Sequence, residues 1–123
     1  MKEYITLTVD GKSVRIEKGS TLLEAARKAG ADIPTLCHDE RVKPYGACGM
    51  CVVECKGSPK LMRSCAIEAA DGMEIITESD RINRARRFSL EMLLSDHTGD
   101  CKAPCSLACP AGTDCQGYVG LIA

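Results

Sequence analysis

Nine of the 123 residues are cysteines, set against one phenylalanine and no tryptophan. That imbalance limits what the chain can build. A core with so few aromatic side chains is modest, and the thiols have work other than filling it. Five of them, Cys37, Cys48, Cys51, Cys55 and Cys65, precede residue 70, and four, Cys101, Cys105, Cys109 and Cys115, follow residue 100. An odd total fits poorly with a closed disulfide framework. The opening "MKEYITLTVDGK" reads as a strand and lacks the apolar stretch of a signal peptide. A reducing, cytoplasmic setting is therefore expected, where clustered thiols bind metal or carry redox chemistry.

Composition removes other classes. The formal net charge of -1 gives no basic footprint for a nucleic-acid partner and no acidic tail. No apolar run approaches the ~20 residues a membrane span needs.

The chain is expected to divide near Ser79, into a strand-rich part (1–78) and a helical, cysteine-rich part (79–123). In "YITLTVDGKSVRIEKG", two alternating runs meet at Asp10-Gly11, a hairpin signal. Ile5, Leu7 and Val9 share one face of the first run, and Val14 and Ile16 one face of the second. "STLLEAARKAG" reads as a helix capped by Ser20 or Thr21 and stopped at Gly30. Pro34 prevents its continuation. "CVVECKG" and "MEIITES" read as third and fourth strands. "SDRINRARRFSLEMLLSDH" returns to helical spacing through Ile82, Ala85, Ser89 and Leu93. Its arginines, Arg81, Arg84, Arg86 and Arg87, are expected to form a solvated face.

Cys37, Cys48, Cys51 and Cys65 follow the spacing C-x10-C-x2-C-x13-C. Two thiols two residues apart can grip a metal centre from one turn. The other two, from a loop and a later strand, complete a four-thiolate cage. Gly46 and Gly49 bracket Cys48 and let the backbone wrap an inorganic core and aim N–H groups at sulfur. A structural zinc site also uses four cysteines, but commonly pairs two short C-x2-C-type knuckles, and only one is present. A thioredoxin-like dithiol at "CGMC" expects a helix at the motif, where a strand-like run follows instead. Cys55 stands outside the set, as a small buried hydrophobe on the strand.

"IPTLCHDERVKPYGACGMCVVECKG", with Cys65 in "RSCAIEA", resembles the plant-type [2Fe–2S] ferredoxin module. It is most similar to the variant in iron-only hydrogenases, the large electron-input subunit of respiratory complex I and NAD-linked formate dehydrogenases. The resemblance covers roughly residues 3 to 80. It implies an α+β chain: a β-grasp domain, then a helix and a small cysteine-rich iron–sulfur segment. It also implies Cys37, Cys48, Cys51 and Cys65 as ligands of a [2Fe–2S] cluster.

In that variant the ferredoxin domain leads into a helix and then H-x3-C-x2-C-x5-C, which holds a [4Fe–4S] cluster. Here "HTGDCKAPC" supplies His97 and Cys101 at the matching spacing, but Cys105 and Cys109 each follow after three residues. "CKAPCSLACPAGTDCQGYVGLIA" resembles instead the N-terminal cysteine segment of the glutamate-synthase small-subunit family. His97, Cys101, Cys105, Cys109 and Cys115 are the candidate ligands of a [4Fe–4S] cluster, with Cys109 or Cys115 giving the fourth contact.

The function implied is an electron-transfer module of a larger redox enzyme, with no catalysis by this chain alone. FAD and NAD(P)H would belong to a parent or partner protein, since no Rossmann glycine fingerprint is visible. The partner would be a redox protein or a downstream flavoprotein domain, because Tyr118, Val119, Leu121 and Ile122 give a terminal helix an apolar face with no polar stop. The alternative is an interaction domain stapled by zinc or a non-redox cluster.

Overall fold

Asp10 and Gly11 both take positive φ (49° and 79°), as a tight hairpin turn between twisted strands demands. They join β1 (Tyr4–Val9) to β2 (Lys12–Glu17) in antiparallel register, Val9 facing Lys12 and Leu7 facing Val14. The computed structural model describes residues 3–97 and 101–122. Leu7, Val9, Val14 and Ile16 are buried and Ile5 packs beside them, so the alternation read in the sequence is the core face of the hairpin.

The helix α1 (Leu22–Lys28) starts at Thr21. The Thr21 hydroxyl accepts from the Glu24 N–H and the Glu24 carboxylate accepts from the Thr21 N–H, a reciprocal capping box. Leu22, Leu23, Ala25 and Ala26 close over the sheet, and Gly30 (φ 84°) ends the helix. Leu23 is wholly buried; truncating such a leucine to alanine typically costs about 2–5 kcal/mol.

Three further strands follow: β3 (Val52–Cys55), β4 (Met62–Arg63) and β5 (Glu74–Ile76). The sheet order is β2-β1-β5-β3-β4, with β5 parallel to β1 and antiparallel to β3. This is the β-grasp arrangement expected: a hairpin, a helix across one face, and a late strand inserted beside the first. The two-residue β4, paired with β3, has no alternating signature of its own.

From Ser79 the chain enters α2 (Asp80–Ser95). The Ser79 hydroxyl accepts from the Ile82 N–H and donates to Glu54 on β3. Ile82 is completely buried. The arginines do not all form a solvated face. Arg86 is half buried and donates through Nη2 to the carbonyls of Val52 (3.0 Å) and Thr77 (3.1 Å), and Arg81 donates to the Pro59 carbonyl. Arg81, Arg84 and Arg87 are exposed, as expected, Arg84 bonded to the Asp80 carbonyl and Arg87 to Glu91.

The first compact unit runs through Leu93 and so includes most of α2, which buries Ile82; the second begins at Leu94. In the second unit, α3 (Pro104–Ala108) and α4 (Cys115–Ile122) are tied by Gln116. Its side-chain oxygen accepts from the Ala103 N–H (3.0 Å), and its own N–H donates to the Ser106 hydroxyl (3.2 Å). No helix among the described residues is long and apolar enough to cross a membrane.

Candidate metal centre

The four thiols of the first set come from two kinds of backbone. Cys51 enters β3 and Cys65 lies between β4 and β5, and both are buried. Ser64 fixes them to each other: its N–H (3.2 Å) and its hydroxyl (2.7 Å) both donate to the Cys51 carbonyl. The first turn of α1 holds the same segment, Leu23 N–H donating to Ser64 O and Leu22 N–H to Ile67 O. The unpaired amides that every helix start carries are thus used to grip the chain on both sides of Cys65.

Cys37 and Cys48 sit instead in the long loop between α1 and β3, partly exposed. Gly46 (φ 65°) and Gly49 (φ 71°) hold that loop in conformations other residues rarely take. Space confirms the need at Gly49, where an added Cβ would stand 2.7 Å from the Ser89 hydroxyl on α2.

The thiols pair, Cys37 with Cys48 and Cys51 with Cys65, and the charges of Cys37, Cys48 and Cys51 all act on Cys65. Burial works against the Cys48 thiolate. The N–H groups of Met50, Cys37 and Leu36 and the Cys37 thiol outweigh it, so its pKa falls below the usual 9.0. The Met50 N–H lies 3.5 Å from Cys48 Sγ. Cys65 goes the other way: burial first, then the Cys51 thiol and the neighbouring thiolate charges, push it up to about 12. Four soft donors in two pairs, with backbone N–H groups turned to sulfur, fit a two-iron centre in which each iron takes two thiolates. Among the described residues, no three His, Cys, Asp or Glu side chains converge on a single-ion position.

Residues 2–80 match the family model for the 2Fe-2S iron-sulfur cluster binding domain. The chain belongs to this family. It is 40% identical over 112 residues to the NADH-ubiquinone oxidoreductase 78 kDa subunit of Candida albicans, covering 91% of this chain and 15% of that protein. It is 38% identical to the NADPH-Fe(3+) oxidoreductase subunit alpha of Geobacter sulfurreducens, covering 91% of this chain and 13% of the relative. The chain therefore spans a small fraction of the relatives' length. A solved NAD+-reducing [NiFe]-hydrogenase superposes with a TM-score of 0.68 at 38% identity, over 77% of this chain and 41% of that one. The module is the complex I and hydrogenase type that the cysteine spacing resembles, an iron–sulfur domain of electron-transferring oxidoreductases. A match of 112 residues reaches beyond the ferredoxin domain into the second cysteine set.

In the second unit, Cys105 on α3, Cys109 just after it and Cys115 at the start of α4 are brought together. The Thr113 hydroxyl and the N–H groups of Thr113 and Ala111 stabilise the Cys109 thiolate and lower its pKa. Burial, the Cys105 charge and contacts with Cys109 and Cys105 raise that of Cys115. No interaction among the described residues joins His97 or Cys101 to these three. His97 lies just past α2, its N–H on Leu94 O, and Cys101 is exposed; residues 98–100 between them lie outside the described residues.

Two contributors escaped sequence reasoning. Ser64 carries no signal beyond its place in "RSC". Arg86 had one: it lies four residues after Ile82 and three before Ser89, on the stripe that faces the sheet.

Proposed function

We propose that Cys37, Cys48, Cys51 and Cys65 ligate one [2Fe–2S] centre, and that the chain relays electrons within a larger pyridine-nucleotide oxidoreductase. The observation that carries this is the pairing of the four thiols on two differently anchored segments. When bound, such a centre takes up and releases single electrons, at a potential on the order of -400 mV for plant-type sites. The protein's part is to hold the four sulfurs, exclude water from the Cys51 and Cys65 side, and supply N–H groups to the Cys48 sulfur. The named relatives use NADH, NADPH or NAD+, which favours a nicotinamide-linked flavoprotein, in the same polypeptide or a partner, as donor or acceptor. FAD and NAD(P)H would be bound there. Nine free thiols suit a reducing, cytoplasmic setting.

The second set is proposed to hold a [4Fe–4S] cluster through Cys105, Cys109 and Cys115, with His97 or Cys101 giving the remaining contact. In the glutamate-synthase small-subunit family that this tail resembles, the cysteine matching Cys109 serves a different cluster from the cysteines before it, so the proposed set departs from that pattern.

Anaerobic purification with iron and acid-labile sulfide analysis tests both sets, and EPR of the reduced chain separates a [2Fe–2S] from a [4Fe–4S] signal. Zinc without colour, or a chromophore that dithionite does not bleach, would favour the stapled interaction domain. NAD(P)H oxidation with a dye acceptor is expected to be negligible without an added flavoprotein. Appreciable turnover would overturn the relay role.

A further inference from the structure

Arg86 stands on the face of α2 that turns toward β3. Four residues earlier Ile82 is wholly buried. Three residues later Ser89 lies against Gly49 in the cysteine loop. The guanidinium is drawn inward, with Nη2 on the carbonyls of Val52 (3.0 Å) and Thr77 (3.1 Å) and Nε buried without a partner. Val52 directly follows Cys51, so the guanidinium is bonded to the residue next to a thiol of the buried pair, and the Cys51 charge acts on it.

This is a costly way to fasten a helix. A guanidinium drawn partly out of water needs opposite charge or full hydrogen bonding, and Arg86 has two carbonyls, an unused donor and the Glu78 charge within reach. A neutral side chain could make the same two bonds. Burial disfavours the charged form, while the charges of Cys51 and Glu78 favour it, and an arginine keeps its proton in proteins in any case. Glu78 offsets part of the cost of burial, and a negative centre held by Cys51 and its partner thiols would offset more.

We propose that Arg86 holds up the reduction potential of the centre carried by Cys37, Cys48, Cys51 and Cys65, which rests on the ligand assignment above. On reduction one electron from the donor enters the iron pair, no bond to the protein forms or breaks, and the site gains one negative charge. A nearby fixed cation stabilises that state over the oxidised one. Because Arg86 is partly buried, salt screens its field less than that of a surface charge. Arg86 is a positioning residue: it acts through charge and through the Val52 peptide, without touching the iron ligands.

The test is a dye-mediated redox titration of the anaerobically purified chain. Dithionite is the reductant and EPR follows the reduced centre, with iron and sulfide content measured on each variant. Arg86→Gln is expected to keep the centre and shift its reduction equilibrium several-fold to tenfold toward the oxidised form, a tenfold change being about 59 mV for one electron. Arg86→Lys, which keeps the charge and loses the planar fork, should stay within about threefold of wild type. Arg87→Gln, exposed on the same helix, should stay within about twofold. An intact centre with an unmoved potential in Arg86→Gln overturns the proposal, as does an Arg86→Lys shift equal to that of Arg86→Gln. Should Arg86→Gln lose the centre, Arg86→Lys decides alone, and a fall beyond tenfold overturns the proposal. A wild-type chain that binds no [2Fe–2S] centre takes down the ligand assignment as well.

Discussion

The hydroxyl of Ser64 donates a 2.7 Å hydrogen bond to the carbonyl of Cys51, thirteen residues earlier. It does so where Ser64 is wholly buried, so the bond locks the two buried thiols of the site into one spacing. Ser64→Ala leaves the Ser64 N–H on the same carbonyl and removes the second donor. A loss of about 1 kcal/mol in stability is expected, with faster loss of iron to a chelator than in wild type. Denaturant unfolding and chelation kinetics measure both.

Cys48 is a proposed ligand, whereas Cys55 packs against the core from β3. Cys48→Ser is expected to abolish or strongly alter the reduced-state EPR signal. Cys55→Ala should leave the signal nearly intact. Loss of the centre in that variant would remove Cys48's special place in the ligand set.

Much of the fold was legible because its signals are local. Asp10-Gly11 announces the hairpin, Thr21 with Glu24 announces the helix start, and β3 and β5 carry the right residues. The parallel pairing of β5 with β1 was not written locally, since it joins segments more than sixty residues apart. Met62 and Arg63 form a strand only because β3 offers them a partner. The site followed the same rule. The four-cysteine spacing was plain, while Arg86 hid in a run of arginines whose usual meaning is solvation. In the second set the spacing pointed first to His97, Cys101 and Cys105. Contact instead joins Cys105 to Cys109 and Cys115, because Gln116 folds α4 back on α3.

In the iron-free chain, thiol reactivity should follow the electrostatics. Cys48, whose pKa is lowered, is expected to alkylate well before Cys65, whose pKa is raised to about 12. Mass spectrometry after brief iodoacetamide treatment reads the order, and denaturant should erase it. The sign for stability follows from the same shift. Above pH ~9 the unfolded chain gives up the Cys65 proton while the folded chain keeps it. Apoprotein stability should therefore be intact below that pH and fall as pH rises toward 12.

Gly49→Ala places a side chain at φ 71° and a Cβ 2.7 Å from the Ser89 hydroxyl. A loss of more than about 1 kcal/mol is expected, together with poorer iron retention. Adding Ser89→Ala should recover only the part due to contact, because the backbone strain remains. Full recovery of thermal stability in the double variant would show that the conformation of Gly49 does not matter.

Cys115→Ala is expected to lower total iron while leaving the [2Fe–2S] signal unchanged. Iron content equal to wild type after reconstitution would remove Cys115 from the second set.

The uneven anchoring of the four first-set thiols has a consequence for how the site is made. Cys51 and Cys65 hang on a sheet and a helix start that are complete in themselves, a frame that can set before any iron arrives. Cys37 and Cys48 ride on a glycine-hinged loop at the surface, a clasp that can close last. Loading should then slow amide exchange chiefly across the clasp, with the frame already protected in the empty chain. If the four thiols hold the proposed centre in this order, it would be emptied by oxidation and refilled without the chain first being unfolded.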